Sequence, residues 1–183
     1  MLSVPTSPYH HGDLRNALLR SARDLLERSG EANLSLRSVA RDAGVSSAAP
    51  YRHFADKNEL LAALAAMGYR ELTDRFGSIP TTDGALAELI ESFLAFAESE
   101  PHLFRLMFSH PCTRGDAEPA RAGRAALEAL VRQMPDFSEE ALTAAWAFAH
   151  GLAALIVHHQ ISPGDDRRKY VAAIIKAAAK ASP

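Results

Sequence analysis

Cysteine is almost missing from the 183-residue sequence. Cys112 stands alone, so an intrachain disulfide and a zinc site built on cysteines are both excluded, and a reduced, cytoplasmic setting fits. Uninterrupted apolar runs of about 18 residues are missing too, so nothing is expected to span a membrane. The first residues lack a basic patch followed by an apolar core, so no signal peptide is expected. Catalytic signatures are missing as well. There is no Ser/His/Asp motif, no glycine loop shaped to cradle phosphate and no helical HExxH. His158 and His159 are adjacent and point to different faces of a helix, a poor metal pair. No cofactor, no metal and no enzymatic activity are therefore expected. β-Branched residues are sparse, and neither a strand pattern nor an internal repeat is evident.

What the sequence has in quantity is alanine and apolar residues at helical spacing. The apolar share, 48%, is ordinary for a globular chain long enough to bury a core. Residues 1–8 read as a loose arm, and His10 and His11, without partner ligands, read as solvated. Leu14, Leu18, Ala22 and Leu25 form one stripe of a helix over 13–29 that Gly30 ends. Asn33 or Ser35 caps the next, over 35–43, which buries Leu36, Val39, Ala40 and Ala43. A third is expected over 47–54. Asp56 and Glu59 form a capping box for a helix over 57–76, long enough to belong to both halves of the protein. Gly77-Ser78-Ile79-Pro80 and Thr81-Thr82-Asp83-Gly84 mark a boundary. Helices follow over 85–99, from Pro101, and over 120–134, 138–160 and 166–181, with a loop rich in Pro, Gly and charge over 111–119. The expected fold is all-α, about nine helices. Residues 1–57 form a three-helix unit, residues 58–183 a helical body, and helix 57–76 bridges them.

The formal net charge of −2 at first argues against nucleic acid as a partner. Its distribution does not. Bases and acids nearly balance up to Leu60, whereas acids clearly outnumber bases from Ser78 to Glu140.

The informative stretch is Gly44-Val45-Ser46-Ser47-Ala48-Ala49-Pro50-Tyr51-Arg52-His53-Phe54, closed by Lys57. It reads as the turn and second helix of a helix-turn-helix. Gly44 supplies an easy left-handed backbone. Ser46 or Ser47 can cap a helix starting at about Ser47, with Pro50 tolerated in its first turn because the amides there have no intrahelical acceptor. Val45 and Phe54 would point inward. Ser47, Ala48, Ala49, Tyr51 and Arg52 would line an outer face small enough to approach a DNA major groove. With Leu36-Arg37-Ser38-Val39-Ala40-Arg41-Asp42-Ala43 before it and Lys57-Asn58-Glu59-Leu60-Leu61 after it, this stretch resembles the DNA-binding segment of the TetR family of bacterial transcription regulators. The resemblance covers residues 12–65. Pro50 is a departure, since most members carry an aliphatic residue there. The resemblance implies a repressor relieved by a small molecule. Two-fold pairing of such units would require an inverted-repeat site on double-stranded DNA. Base readout falls to Ser47, Ala48, Ala49 and Tyr51, flanked by Arg52, with Arg37 placed for a bidentate guanine contact. Phosphate contacts fall to Tyr51, His53, Lys57 and the Ser35 end of its helix.

The helix over 138–160 is apolar on nearly all sides, through Leu142, Trp146, Phe148, Leu152, Leu155 and Ile156. In a small chain a second subunit is the natural cover for such a helix. Leu152, Leu155 and Ile156 with Tyr170, Val171, Ile174 and Ile175 would then build a four-helix, two-fold homodimer interface. Trp146-Ala147-Phe148-Ala149-His150-Gly151 is similar to the Trp, His, Gly pattern of one TetR subgroup. Trp146 and His150 share a helix face; either they pack in the core, or they touch an effector. Phe93, Phe96, Phe104, Met107, Phe108, Trp146 and His150 could likewise line an apolar cavity for a small apolar molecule or make a solid core. A helical effector-binding protein without DNA binding is the alternative reading, against which the Tyr51, His53 and Lys57 set speaks.

Overall fold

Ten helical elements carry the chain in the computed structural model, which describes residues 11–82, 84–109, 118–164 and 166–181, the side chains of 11–13, 109 and 178–181 excepted. Expectations for residues 1–8, His10, the His11 side chain, Asp83, residues 111–117 with Cys112, and Asp165 lie outside the described residues. In order, the elements are α1 (His11–Ser29), a 3-10 turn (Glu31–Asn33), α2 (Leu36–Asp42), a second 3-10 turn (Pro50–Arg52), α3 (Lys57–Gly77), α4 (Ala85–Ser99), α5 (Pro101–Ser109), α6 (Glu118–Arg132), α7 (Glu139–Val157) and α8 (Arg167–Ala181). The all-α expectation holds, with no strand among the described residues.

One expected helix differs in kind. Residues 47–54 do not form an α-helix but a turn followed by the short 3-10 segment Pro50–Arg52. Two others differ at their ends. α6 starts at Glu118 with Pro119 in its first turn, where no amide is needed, and α7 stops at Val157.

The core is continuous from α1 to α8. α1 buries Leu18, Leu19, Ala22 and Leu26, a stripe rotated from the expected one, with Leu14 and Leu25 only partly covered. α3 runs through the middle, burying Leu60, Leu61, Leu64, Leu72 and Phe76. A Cβ at its Gly68 would lie 2.4 Å from the Met107 sulfur, so the missing side chain lets α5 sit close. On another side, α6 brings Gly123 against the Tyr69 ring and Glu118 to Arg70.

α7 corrects the expectation about apolar runs. Counted by unbroken runs nothing qualifies, but the mean hydropathy of this 19-residue helix reaches 1.5, long and apolar enough by composition to cross a bilayer. Only 28% of its apolar window is buried inside the chain, through Ala149, Leu152, Ala153, Ile156 and Val157; the rest is half-buried or exposed.

Candidate nucleic-acid interface and the core behind it

The interface begins with a helix stop. Gly44 has φ 67°, the Val45 amide donates to the Ala40 carbonyl at 2.9 Å, and the Gly44 amide donates to Arg41 at 3.3 Å. These two bonds end α2 in a Schellman turn, with glycine at the left-handed position. Nothing lies within 4 Å of where a Gly44 Cβ would be, so conformation rather than space requires glycine here.

Proline then sets the next turn. Pro50 has no N–H, so the Ser46 carbonyl receives the Ala49 amide at 3.0 Å instead, and His53 bonds Pro50 at 2.9 Å. Such three-residue spacing tightens the segment into 3-10 geometry. No side chain caps it, which corrects the roles expected for Ser46 and Ser47. The outward set is nevertheless as expected. Ser47, Ala48 and Arg52 are exposed, Ala49 and His53 half-buried, and Tyr51 is 51% exposed, while Pro50 and Phe54 are buried. Arg15 of α1 lies over the Phe54 ring, 5.3 Å from its centre, and seats the turn from behind.

The flanking residues divide. Arg37 is exposed on the first turn of α2 and makes no side-chain hydrogen bond or ion pair among the described residues. Ser35 is committed to folding: its hydroxyl accepts from the Ser38 amide at 3.0 Å, and the Ser38 hydroxyl accepts from the Ser35 amide. The Lys57 ammonium donates to the Glu31 carbonyl at 2.6 Å, tying the start of α3 to the 3-10 turn that follows α1. That leaves two of its N–H groups.

Behind this unit, five of the seven expected cavity residues come together. Phe93, Phe104, Phe108, Trp146 and His150 form one cluster of rings. His150 lies 4.3 Å from both Phe108 and Trp146 and 5.0 Å from Phe93. Phe96 and Met107 do not join it: Phe96 lies under Arg75, and Met107 packs on Gly68. Tyr69, which the sequence reading missed, does join, 5.5 Å from Phe108 with its hydroxyl donating to the Met107 carbonyl at 2.6 Å. Beside the cluster, the space bounded by Phe93, Trp146, Leu89, Ile90, Leu130 and Met134 is about 10 Å³, no more than one water, so the rings are closely packed on that side. His150 Nδ1 is buried and makes no hydrogen bond of good geometry to a described residue, although the Trp146 carbonyl one turn back lies near enough to act on the ring. Burial holds the imidazole below its ordinary pKa, with the Trp146 backbone only partly offsetting, so the ring stays neutral near pH 7.

The expected dimer residues also divide. Leu152, Ile156 and Val171 are buried within their own chain, so they face its core rather than outward; Leu155 is 39% exposed and Tyr170, Ile174 and Ile175 half-buried. The outward side of α7 is carried instead by Ala144, Ala147, Gly151 and Leu155.

α1 is braced against the distal helices by charge. Arg23 pairs with Glu100 through Nε and Nη2 and with Glu71 through the same Nη2 at 2.7 Å, and Glu71 also holds Arg75 at 2.7 Å. Glu27 accepts from the Leu103 amide at 2.7 Å and the His102 amide at 3.2 Å, so a carboxylate on α1 caps the N-terminus of α5. Burial raises the Glu71 carboxyl, but hydrogen bonds from Arg75 and Arg23 outweigh it and hold the group below its ordinary 4.5. The unfolded chain therefore takes up this proton first, and stability is lost as pH falls below about 4.5 toward the folded value. Glu71→Gln is expected to flatten that part of the decline in a melting series from about pH 6 to about pH 3. An unchanged slope would assign the acid sensitivity to other carboxylates.

Comparison with known proteins places these observations. A family model described as "Bacterial regulatory proteins, tetR family" matches residues 18–64, and one described as "Tetracyclin repressor-like, C-terminal domain" matches residues 86–178. The nucleoid occlusion factor SlmA of Aliivibrio fischeri (strain MJ11) is 32% identical over 114 residues, covering 60% of this chain and 56% of that protein. The chain thus spans about half the length of the curated relatives it matches. A structure of a protein of unknown function from Rhodococcus sp. RHA1 superposes with a TM-score of 0.78 at 33% identity, covering 93% of this chain and 96% of that one. The multidrug binding protein EbrR, crystallised with imidazole, shares the fold with a TM-score of 0.65 at 22% identity over 96% of each chain.

Proposed function

Because the chain belongs to the TetR family, whose members are DNA-binding transcription regulators rather than enzymes, we propose that it works as a cytoplasmic homodimeric repressor of an inverted-repeat operator, released by a small molecule. In this reading residues 1–57 are the DNA-binding unit and 58–183 the effector-binding and dimerisation body. The observation that carries it is the exposed ridge of Ser47, Ala48 and Tyr51 beside Arg37. A half-exposed tyrosine between buried Pro50 and Phe54 has no folding role, and an arginine without a partner among the described residues is free to meet a guanine. Tyr51, Arg52 and His53 then serve the backbone, with Lys57 reaching a phosphate through its remaining N–H groups while it holds Glu31. Ser35 contributes through the helix end it caps.

Two-fold pairing follows from the outward side of α7. Ala144, Ala147 and Gly151 leave room for close helix approach, and Leu155, Tyr170, Ile174 and Ile175 supply apolar edge. Recognition segments about 34 to 36 Å apart would then meet successive major grooves. The effector half of the proposal draws on the ring cluster. His150 offers a buried ring nitrogen without a well-formed hydrogen bond among the described residues, in an apolar wall, and a ligand there has to part the rings to enter. Tilting of α3 would carry that change toward the DNA.

A gel shift with the DNA upstream of the protein's own gene tests the core of this reading; absence of a salt-sensitive, sequence-preferring complex would favour an effector-binding protein without DNA binding. Arg37→Ala is expected to cost about 1 to 3 kcal/mol on operator and to relax preference at one base pair. Equal loss on operator and random DNA, by fluorescence anisotropy, would remove Arg37 from readout.

A further inference from the structure

A larger space lies away from the ring cluster. Between the first turns of α5 and the C-terminal end of α7 is an open cleft of about 580 Å³, lined by Pro101, His102 and Arg105 on one wall and Ile156, His159 and Ile161 on the other. Three features set it apart from an accidental groove.

The first is its charge. Arg105 is half-buried, and its hydrogen-bond partner among the described residues is His102 Nδ1 at 3.1 Å. A guanidinium carries five N–H groups, so most of this one is unsatisfied. The cleft's carboxylate, Glu98, is held by Arg167, which also holds Glu91, so one guanidinium serves two carboxylates there. Among the described residues no carboxylate pairs with Arg105, which stands as a cation at the rim of an apolar wall.

The second is backbone strain. α7 ends in the same Schellman turn as α2: the Gln160 amide donates to Leu155 at 2.8 Å and the His159 amide to Ile156 at 2.9 Å. In α2 the left-handed position is Gly44; here it is His159, with φ 55°. A histidine there costs backbone energy that a glycine would not, and such strain clusters at binding sites. The third is position. The first turn of α5 is the one capped by Glu27, and His102 lies 3.4 Å from where a Gly30 Cβ would be, so one wall of the cleft rests on the end of α1.

We propose that this cleft is a binding site for an amphipathic carboxylate, its head on Arg105 and its apolar body along Ile156 and Ile161. A molecule seated there presses on α5 where α1 holds it, so occupancy is expected to change operator affinity. The site is separate from the ring cluster, and its binding arm does not depend on the regulator reading.

The test titrates the full-length protein with octanoate and, as an uncharged control of like shape, octanol, by calorimetry. Octanoate should bind the unaltered protein more tightly than octanol. Arg105→Gln should bind octanoate about 10- to 100-fold more weakly, the size of a lost charge-assisted contact. Arg105→Lys should recover part of that loss, and octanol binding should stay unchanged in both. Octanol binding as tightly as octanoate, no octanoate binding, or an Arg105→Gln protein that melts normally and binds octanoate unaltered would overturn the site. Saturating octanoate should shift operator affinity at least about 5-fold; an unchanged affinity would overturn the link to α1. Failure to bind operator without octanoate is a separate result that bears on the regulator reading alone.

Discussion

Gly151→Arg is expected to leave each chain folded and to abolish operator binding. Gly151 lies inside α7, where glycine costs about 0.5 to 1 kcal/mol relative to alanine. It is exposed, and beyond its own helix turn no described residue lies within 4 Å of the place a Cβ would take. No internal contact therefore calls for glycine at this point. In the proposed dimer a close approach from outside would, and Ala144, Ala147 and Leu155 continue the same strip. An arginine there should hold two copies apart, reduce the species in light scattering to a monomer, and lower operator affinity roughly 1,000-fold, toward non-specific binding. Gly151→Ala is the companion variant: a gain of about 0.5 kcal/mol or more in chain stability if the strip is unpaired, and a weakened dimer if a partner backbone sits against it. A Gly151→Arg protein that remains dimeric would sink the α7 interface.

The second large effect is expected at Phe93. Its ring is 1% exposed and meets Phe104 at 5.6 Å, Trp146 at 5.3 Å and His150 at 5.0 Å. Phe93→Ala removes the ring around which the others are arranged, so unfolding in urea should show a loss of about 3 to 5 kcal/mol. The size is diagnostic. A loss under about 1 kcal/mol would mean that the neighbours collapse easily into the space and would remove Phe93 as the centre of the packing.

The helices were legible because apolar spacing, Asp56 with Glu59, and the glycine and proline stops all act within a few residues. What was illegible acts across the chain or below the resolution of pattern. Residues 47–54 carry the apolar spacing of an α-helix, but whether the Ser46 carbonyl meets residue 49 or 50 turns on one missing N–H, and proline decided it. Phe96 and Met107 look like Phe93 and Phe104 by composition; only the placing of α3, with its bare Gly68, determines which wall each joins. Leu152, Ile156 and Leu155 are equally apolar, and periodicity does not say which side of α7 is covered by its own chain. The small residues Ala144, Ala147 and Gly151 were the available signal. Tyr69 was readable only as a helix residue, since its partner, Met107, is distant in sequence.

The carboxylate of Glu27 has a practical consequence for anyone building chimeras. Recognition units of such regulators invite grafting from one body onto another, as if each were a removable plug. In this chain the first helix supplies the oxygens that finish a helix begun some seventy-five positions later. A donor segment lacking an acid at that point would strand two backbone amides on the recipient and loosen the join, even with every DNA-facing residue faithfully copied.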